Sequence, residues 1–403
     1  MGMVTLTSFE DVGAALRNPD LKQCMYDAGA VVMDQVLLTL HGDAHRQRRT
    51  LEFRVFRRDY FRYYENEVFP RTLGETVKPY LEAGRADLID LGYRVTMNLT
   101  ADFAGIDRPK RTPDETEQLL KLAKCFSEAA TMVHTTRNPE DVNTEARAGL
   151  VEFERDFLLP SIARHQELID QFNRGEIGED ALPRDVLTVL LRNEDKLDLP
   201  LHILRGELAF YLQAGSHSTA NSAVHAFHEV WNWCDKHPED RARLMRDPVF
   251  LQRCVHESLR LHTASPEAQR RPTCPMTLSN GAHVGEDDLV QISLSGANRD
   301  KSIFGEDADQ YNPHREVKGS TPLVGMTFGT GVHSCLGRDL DGGVVPRADA
   351  DPATIQLGIV PKFVGALFAA GARPDPANPP QRATYTSRPN WGSYPVLFDT
   401  PTA

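Results

Sequence analysis

Apolar residues recur at helical spacing through the first two thirds of the chain and give way to short alternating runs afterwards. The spacing predicts helices at Phe9 to Arg17, Ala44 to Tyr64, Thr116 to Val133 and Ala146 to Phe172. Leu201 to Trp233 is apolar on several faces, as expected for a helix that crosses a core. Pro238 to His262 predicts two more helices, with Pro248 opening the second.

After Leu261 the composition and the hydrophobic pattern change: Pro and Gly become frequent, and β-like runs such as 290–294 appear. Helices come first and strands second, which predicts a mainly α (α+β) fold rather than alternating βαβ units. No linker divides the chain, so we expect one domain spanning residues 1–403.

Composition narrows the partners that this chain can have. A net charge of −12 disfavours nucleic acid and anionic membrane surfaces. No apolar run approaches the roughly 20 residues of a membrane span, and the start lacks the features of a signal peptide. The six cysteines are dispersed without a Cys-x-x-Cys pair, which predicts a reducing, cytoplasmic setting.

One cysteine has a context that needs an explanation. Cys335 lies in the glycine-punctuated stretch Phe-Gly-Thr-Gly-Val-His-Ser-Cys-Leu-Gly at 328–337, just before a helix-compatible segment. Such glycines let the backbone approach a large flat ligand, and a following helix N-terminus favours a thiolate. The loop therefore predicts a thiolate held against a metal cofactor.

A second pattern pairs Glu257 and Arg260, which lie at i and i+3 on one predicted helix face. Alone this is typical of a surface ion pair. Arg315, in the loop-rich half, changes the interpretation, because one carboxylate shared by two arginines makes a sensible buried clamp.

These motifs together resemble the cytochrome P450 family of haem-thiolate monooxygenases. The cysteine loop is similar to the family pattern Phe-Gly-x-Gly-x-His-x-Cys-x-Gly at every fixed position, and Glu257, Arg260 and Arg315 correspond to its structural triad. The segments 297–300 and 388–396 also resemble bacterial members. The resemblance implies the P450 fold and haem b, with Cys335 as the axial ligand. A buried structural cysteine is the alternative.

The resemblance also implies where haem contacts lie. His45 and Arg49 match a His-x-x-x-Arg propionate clamp, and Phe328, Gly329 and Gly337 belong to the cysteine loop. His333 and Arg271 match two further propionate positions, although the adjacent Arg270 leaves the second assignment open. A solvated basic face, shared with Arg46 and Arg48, is the alternative for the clamp.

The distal helix departs from the family pattern. Ala214 and Gly215 match its small pair, which would leave room for dioxygen. His217, however, stands at the usual acid position and Ser218 at the usual threonine position. Ser218 could keep the hydroxyl role, with Thr219 as a register-shifted substitute. His217 could carry a proton or be a packed histidine, and both interpretations stay open.

Two further departures from the family pattern concern the start of the chain and the segment after the cysteine loop. The chain opens near the family's first strand, so either another element or a partner subunit covers that surface, or the start codon is misassigned. After the cysteine loop, Gly342-Gly343 and Pro346 interrupt the helix, and Asp351-Pro352 predicts a new helix start. We therefore expect an insertion at about 341–352, beside the face where the family docks its electron donor.

The resemblance predicts an oxidoreductase that takes electrons from a separate ferredoxin-type donor. It would hydroxylate or dealkylate a small or medium apolar substrate, with no nucleic-acid or membrane partner. One alternative is an atypical haem-thiolate enzyme for oxidative coupling, cyclisation or rearrangement in natural-product metabolism. The other is a non-catalytic haem-binding protein.

Overall fold

A computed structural model describes residues 2–110, 112–196, 199–317, 319–347, 349–351 and 354–399. The predicted insertion and the predicted helix start at Asp351-Pro352 fall partly outside these residues, because 348, 352 and 353 are not described.

Helices make up most of the described chain. Their bounds are α1 Phe9–Arg17, α2 Ala30–Met33, α3 Gly42–Glu52, α4 Arg58–Tyr63, α5 Phe69–Ala83, α6 Leu88–Ala104, α7 Pro113–Ala130, α8 Pro139–Phe153, α9 Leu159–Asn173, α10 Val186–Leu191, α11 Leu201–Lys236, α12 Pro238–Leu244, α13 Pro248–Leu261, α14 Leu294–Ala297, α15 Lys301–Phe304, α16 Arg338–Asp341 and α17 Ile359–Ala369.

The strands are short and form small sheets. Their bounds are β1 Met3–Leu6, β2 Leu21–Gln23, β3 Arg85–Asp87, β4 Glu267–Pro272, β5 Met276–Thr277, β6 His283–Val284, β7 Leu289–Ser293, β8 Arg373–Pro374, β9 Gln381–Arg382, β10 Trp391–Ser393 and β11 Pro395–Leu397. The largest sheet has the order β1-β7-β4-β2, with β1 parallel to β7 and the other pairs antiparallel. The mainly α (α+β) prediction is confirmed.

Local sequence signals explain several helix ends. The Thr112 and Asn138 side chains accept hydrogen bonds from the first turns of α7 and α8, each of which has Pro in its first turn. Asp247 caps α13 in the same way. Gly84 and Gly105, both left-handed, end α5 and α6.

Some predicted bounds are wrong. The region 44–64 is two helices, α3 and α4, rather than one. Helices α5 and α6 were not predicted, although α6 packs closely along α11. The predicted helix start at Asp351-Pro352 lies partly outside the described residues, and the next α-helix, α17, begins at Ile359.

A buried ionic cluster ties α13 to the loops that follow β7. The Glu257 carboxylate, completely buried, accepts from Arg260 Nε at 2.8 Å and Nη2 at 2.7 Å and from Arg315 Nε at 2.9 Å. Arg260 also donates to the carbonyls of Asn298 and Ala308, both at 2.6 Å. The structure thus brings together the three predicted triad residues.

Asn298 connects this cluster to the cysteine loop. Its Nδ2 donates to the Arg260 carbonyl at 3.0 Å, and its Oδ1 accepts from the Met326 amide at 2.6 Å. Thr327 Oγ1 donates to the Leu259 carbonyl at 2.8 Å. The chain entering the cysteine loop is therefore held directly on the end of α13.

The insertion is an excursion between α16 and α17. A Cβ on Gly358 would lie 2.3 Å from Gly343 N and 2.7 Å from the Asp341 carbonyl, and its φ of 94° also favours glycine. The Gln252 amide donates to the carbonyls of Gln356 and Leu357 at 3.0 and 2.9 Å. The loop therefore leaves and returns at nearly the same point, so α17 starts where α16 stops.

Replacing Glu257 by Gln should lower the free energy of unfolding by several kcal/mol, because Arg260 and Arg315 would lose their shared buried counter-charge. Urea unfolding of both proteins checks this. The control is Glu82→Gln, which breaks an exposed pair with Lys78 and should change stability by less than about 0.5 kcal/mol. Equal effects of the two substitutions would contradict a stabilising role for the cluster.

Candidate active site

The cysteine loop is a tight turn that packs on α1. The Cys335 amide donates to the Phe328 carbonyl at 2.9 Å, which closes the loop. Gly331 has φ of 76°, and a Cβ there would lie 2.4 Å from the Leu16 carbonyl. Any other residue at Gly331 would push the loop away from α1.

This loop forms one wall of a cavity of about 380 Å³. Residues of helix α11 also line the cavity, and most of the lining is apolar. Apolar lining residues include Leu38, Phe103, Phe210, Ala214, Phe328 and Leu340. The positions that a Cβ would occupy on Gly329 and Gly337 have no atoms of the described residues within 4 Å. The loop therefore presents an open cradle to the cavity.

Cys335 faces this cavity. Its surface is exposed to the cavity space, yet it lies deep within the protein, and burial raises the pKa of its thiol to about 11. The nearby Asp341 contributes to this rise in the pKa, while the Gly337 amide and Arg49 oppose it.

Cationic and hydrogen-bonding groups gather at one edge of the cavity. Arg49 Nη2 donates to the Ser334 carbonyl at 2.7 Å, and the rings of His45 and His333 lie 4.3 Å apart. Burial lowers the pKa of His45 to about 4 and that of His333 to about 3. His45 Nε2 and His333 Nδ1 are buried without a hydrogen-bond partner among the described residues.

The sequence left open the choice between Arg270 and Arg271, and strand alternation favours Arg270 over the predicted Arg271. Arg270 is buried, lines the cavity and donates to Gln23 Oε1 at 2.7 Å. Arg271, the next residue of β4, points to the other face and does not line the cavity. The prediction from the residues alone could not choose, because it lacked the register of β4 against β2.

The small pair on α11 has two different roles in the packing. Ala214 lines the cavity. A Cβ on Gly215 would lie 2.6 Å from Thr100 Oγ1 on α6, so the absence of a side chain there serves the contact between α6 and α11. Ser218 also lines the cavity, and its hydroxyl donates to the Ala214 carbonyl at 2.6 Å.

His217 is a packed, neutral histidine. Its Nδ1 is hydrogen-bonded to the Tyr93 hydroxyl on α6. Burial, together with the smaller effects of Arg388 and His134, lowers the pKa of His217 to about 3. Of the two interpretations, the structure therefore favours packing over a proton carrier that is charged near neutral pH.

Thr219 is not a substitute for Ser218. Its Oγ1 donates to Asp341 Oδ1 at 2.6 Å, which joins α11 to the segment after the cysteine loop. Burial raises the pKa of Asp341 to about 6. The Thr219 hydroxyl is thus committed to a contact between two walls of the cavity, on a carboxylate that the sequence pattern did not single out.

A buried acidic pair beside the cavity was also missed. Arg48 Nη1 donates to Glu207 Oε2 at 2.7 Å, and the Tyr211 hydroxyl, which lines the cavity, donates to Glu52. Arg48 is therefore buried, so the expected solvated basic face is wrong for this residue, whereas Arg46 is exposed and pairs with Asp43. The acidic residues at i+4 and on α11 were the available signal.

Comparisons with known proteins agree on one family. The sequence profile described as "Cytochrome P450" matches residues 228–340. Cytochrome P450 107B1 of Saccharopolyspora erythraea is 29% identical over 271 residues, which covers 66% of this chain and 59% of that protein. Cytochrome P450 CYP199A2 of Rhodopseudomonas palustris is 33% identical over 160 residues, covering 40% and 34% of the two chains.

The fold agrees over nearly the whole chain. The haem domain of a Tepidiphilus thermophilus P450 superposes with a TM-score of 0.74 at 16% identity, covering 99% of this chain and 89% of that one. The family profile, the curated relatives and the solved structures that match this chain are all cytochrome P450s, which confirms the predicted family and its fold. These matches indicate a cytochrome P450 monooxygenase, and the cofactor that the family implies is an iron haem with a thiolate ligand.

The residues of this P450 fit such a cofactor. A cysteine faces an apolar cavity, the cradle above Gly329 and Gly337 is open, and buried donors without partners lie at one edge. Anionic propionates would satisfy those donors together with Arg49 and Arg270. Within the described residues, no helix is long and apolar enough to cross a membrane.

The pKa of His217 predicts acid sensitivity of this P450. Since the folded pKa of about 3 lies below the unfolded value, the unfolded state binds more protons as the pH falls, and stability is lost. Replacing His217 by Gln should remove about 2 kcal/mol of the decline in unfolding free energy between pH 7 and pH 5. Urea unfolding at both pH values measures it.

The matched control is His202→Gln, on the exposed first turn of the same helix. This variant should keep the decline of the parent protein. A decline that is unchanged in His217→Gln would contradict a buried neutral histidine.

Proposed function

We propose that this P450 holds haem b through Cys335 and oxidises a small or medium substrate whose body is apolar, by hydroxylation or dealkylation. The observation that carries the proposal is the position of Cys335, which lines the same apolar cavity as residues of α11. Haem, when bound, supplies the reductive activation of dioxygen. We further propose that residues 1–403 form one domain and that the protein is cytoplasmic.

The described residues support specific tasks around the cofactor. Arg49, Arg270, His45 and His333 would bind the propionates. Ala214 leaves space on the distal side, and Ser218 places its hydroxyl there on the Ala214 carbonyl. Phe328 lines the cavity, and its ring packs beside Gly342. This contact supports the loop that carries Cys335.

A second candidate function is favoured by the state of His217. A neutral histidine bonded to Tyr93 stands where the family pattern has an acid, so this position offers no charged proton carrier near pH 7. Oxidative coupling, cyclisation or rearrangement depend differently on proton delivery. Because the matching family is an enzyme family, the non-catalytic alternative is not taken further.

The ligand is tested by the absorption spectrum of the reduced, carbon-monoxide-bound protein. Cys335→Ser should lose the red-shifted Soret band that a thiolate ligand gives. The control Cys274→Ser removes an exposed cysteine and should keep the band. A band that survives in Cys335→Ser would overturn the assignment.

Product masses separate the two functions: hydroxylation adds one oxygen atom, whereas coupling or ring closure removes two hydrogens and rearrangement changes no mass.

The insertion is proposed to alter the choice of a ferredoxin-type electron donor. Val344 and Val345 are exposed near its start, beside the segment that follows Cys335. Deleting 343–357 should leave the reduced carbon-monoxide spectrum intact, because Gly342 and Gly358 are already neighbours. Stopped-flow reduction by a panel of ferredoxins should then change its order of rates.

The control for that deletion is the double substitution Val344→Ser and Val345→Ser, which keeps the length of the loop. If Val344 and Val345 make the contact with the ferredoxin, this variant changes the order of rates as the deletion does. Unchanged rates with every ferredoxin in both variants would contradict the proposal.

A further inference from the structure

Arg388 is a buried arginine without a partner. Among the described residues, five arginines are buried, and four of them donate to a side-chain acceptor: Arg48 to Glu207, Arg260 and Arg315 to Glu257, and Arg270 to Gln23. Arg388 is only 6% exposed and lines the cavity, yet its Nε and Nη2 have no hydrogen-bond partner among the described residues.

An uncompensated buried cation is strongly unfavourable, because it loses its hydration without gaining a counter-charge. Burial accordingly lowers the pKa of Arg388. The acidic group that acts on it is Glu267, but no oxygen of Glu267 lies within 4.0 Å of the guanidinium nitrogens. The Glu267 carboxylate instead accepts from Gln291 and lies 3.8 Å from His134 Nε2.

The unpartnered atoms have a recognisable geometry. They are Nε and Nη2 of Arg388, and Arg260 uses the same two atoms to hold both oxygens of the Glu257 carboxylate at 2.8 and 2.7 Å. Guanidinium groups bind carboxylates in this bidentate way. The free edge of Arg388 therefore matches one carboxylate.

Arg388 lies in a different electrostatic neighbourhood from the propionate donors. The charges that act on His333 are those of His45, Arg270, Arg49 and His41. Arg388 instead acts on His217, on the wall formed by α11. Basic residues thus adjoin the cavity both beside His333 and beside His217, and Arg388 acts on the second of these histidines.

We propose that Arg388 binds the carboxylate of the substrate, which is an organic acid with an apolar body. This inference rests on the proposed function and deepens it by naming the substrate class. The carboxylate would anchor one end of the molecule at Arg388, and the apolar lining would hold the rest between α11 and the cysteine loop. Arg388 is then a specificity-determining residue.

The experiment uses the haem-loaded enzyme and matched probe pairs. Octanoate, 4-phenylbutyrate and 1-naphthoate are each titrated beside the corresponding primary amide, and dissociation constants come from the ferric absorption spectrum and from calorimetry. At least one acid should bind at least about 30-fold more tightly than its amide. Arg388→Gln should abolish this preference, and Arg388→Lys should restore part of it.

The matched control is Arg382→Gln, on the same C-terminal segment, where the guanidinium lies over the Trp391 ring outside the cavity. It should keep the preference. Without ligand, Arg388→Gln should also raise the thermal unfolding midpoint, because it removes an unpaired buried charge, whereas Arg382→Gln should not raise it.

Several results would overturn the proposal. They are no preference for an acid in any pair, a preference that survives in Arg388→Gln, a lower unfolding midpoint in that variant through loss of a structural pair with Glu267, or loss of haem that shows a propionate contact. The reduced carbon-monoxide spectrum of the same samples separates these from failure of the proposed function, in which the parent protein itself lacks the thiolate band.

Discussion

The shared carboxylate of Glu257 is the contact on which the site depends. It joins Arg260 and Arg315 in the interior, and Arg260 in turn binds the backbone at Asn298. The Asn298 side chain holds the Met326 amide, two residues before the cysteine loop begins at Phe328. A cysteine in a flexible loop could not be held at a defined place in a cavity. Here a chain of buried hydrogen bonds runs from the ionic cluster to the turn that carries Cys335.

Buried donors without partners beside the cavity indicate which ligands it binds. Elsewhere the buried arginines donate to side-chain acceptors, as Arg48 does to Glu207. His333 and Arg388 line the cavity and retain buried nitrogens without partners in the described residues, and so does His45 beside the His333 ring. Unpartnered nitrogens also occur away from the cavity, as on Arg205 and His225, so it is the position beside the apolar space that makes His333 and Arg388 candidates for binding a ligand. The histidines fit the anionic edge of a cofactor, and Arg388 fits an acid.

Local sequence was sufficient for the parts of the structure that depend on local signals. The glycines around Cys335 predict its turn, and the long apolar stretch of α11 predicts a core helix, so both elements could be predicted. Helix α6 was missed although the sequence carries its signal, because Asp90, Arg94, Asn98 and Asp102 recur every fourth residue between buried positions. Pairing that spans the chain was hidden: the choice between Arg270 and Arg271 depends on how β4 pairs with β2, and no local pattern carries that register.

The direction of a hydroxyl or a ring is likewise a tertiary property. Thr219 was expected to assist Ser218, but Asp341, 122 residues away, takes its hydrogen bond. His217 stands at an informative position, yet its hydrogen bond with Tyr93 on α6 could not be read from the sequence.

X-ray absorption at the iron edge of the purified ferric protein tests the central claim, that Cys335 is the metal ligand. The account predicts one sulfur neighbour of iron, lost in Cys335→Ser. A first shell of nitrogen and oxygen alone in the parent protein would contradict it.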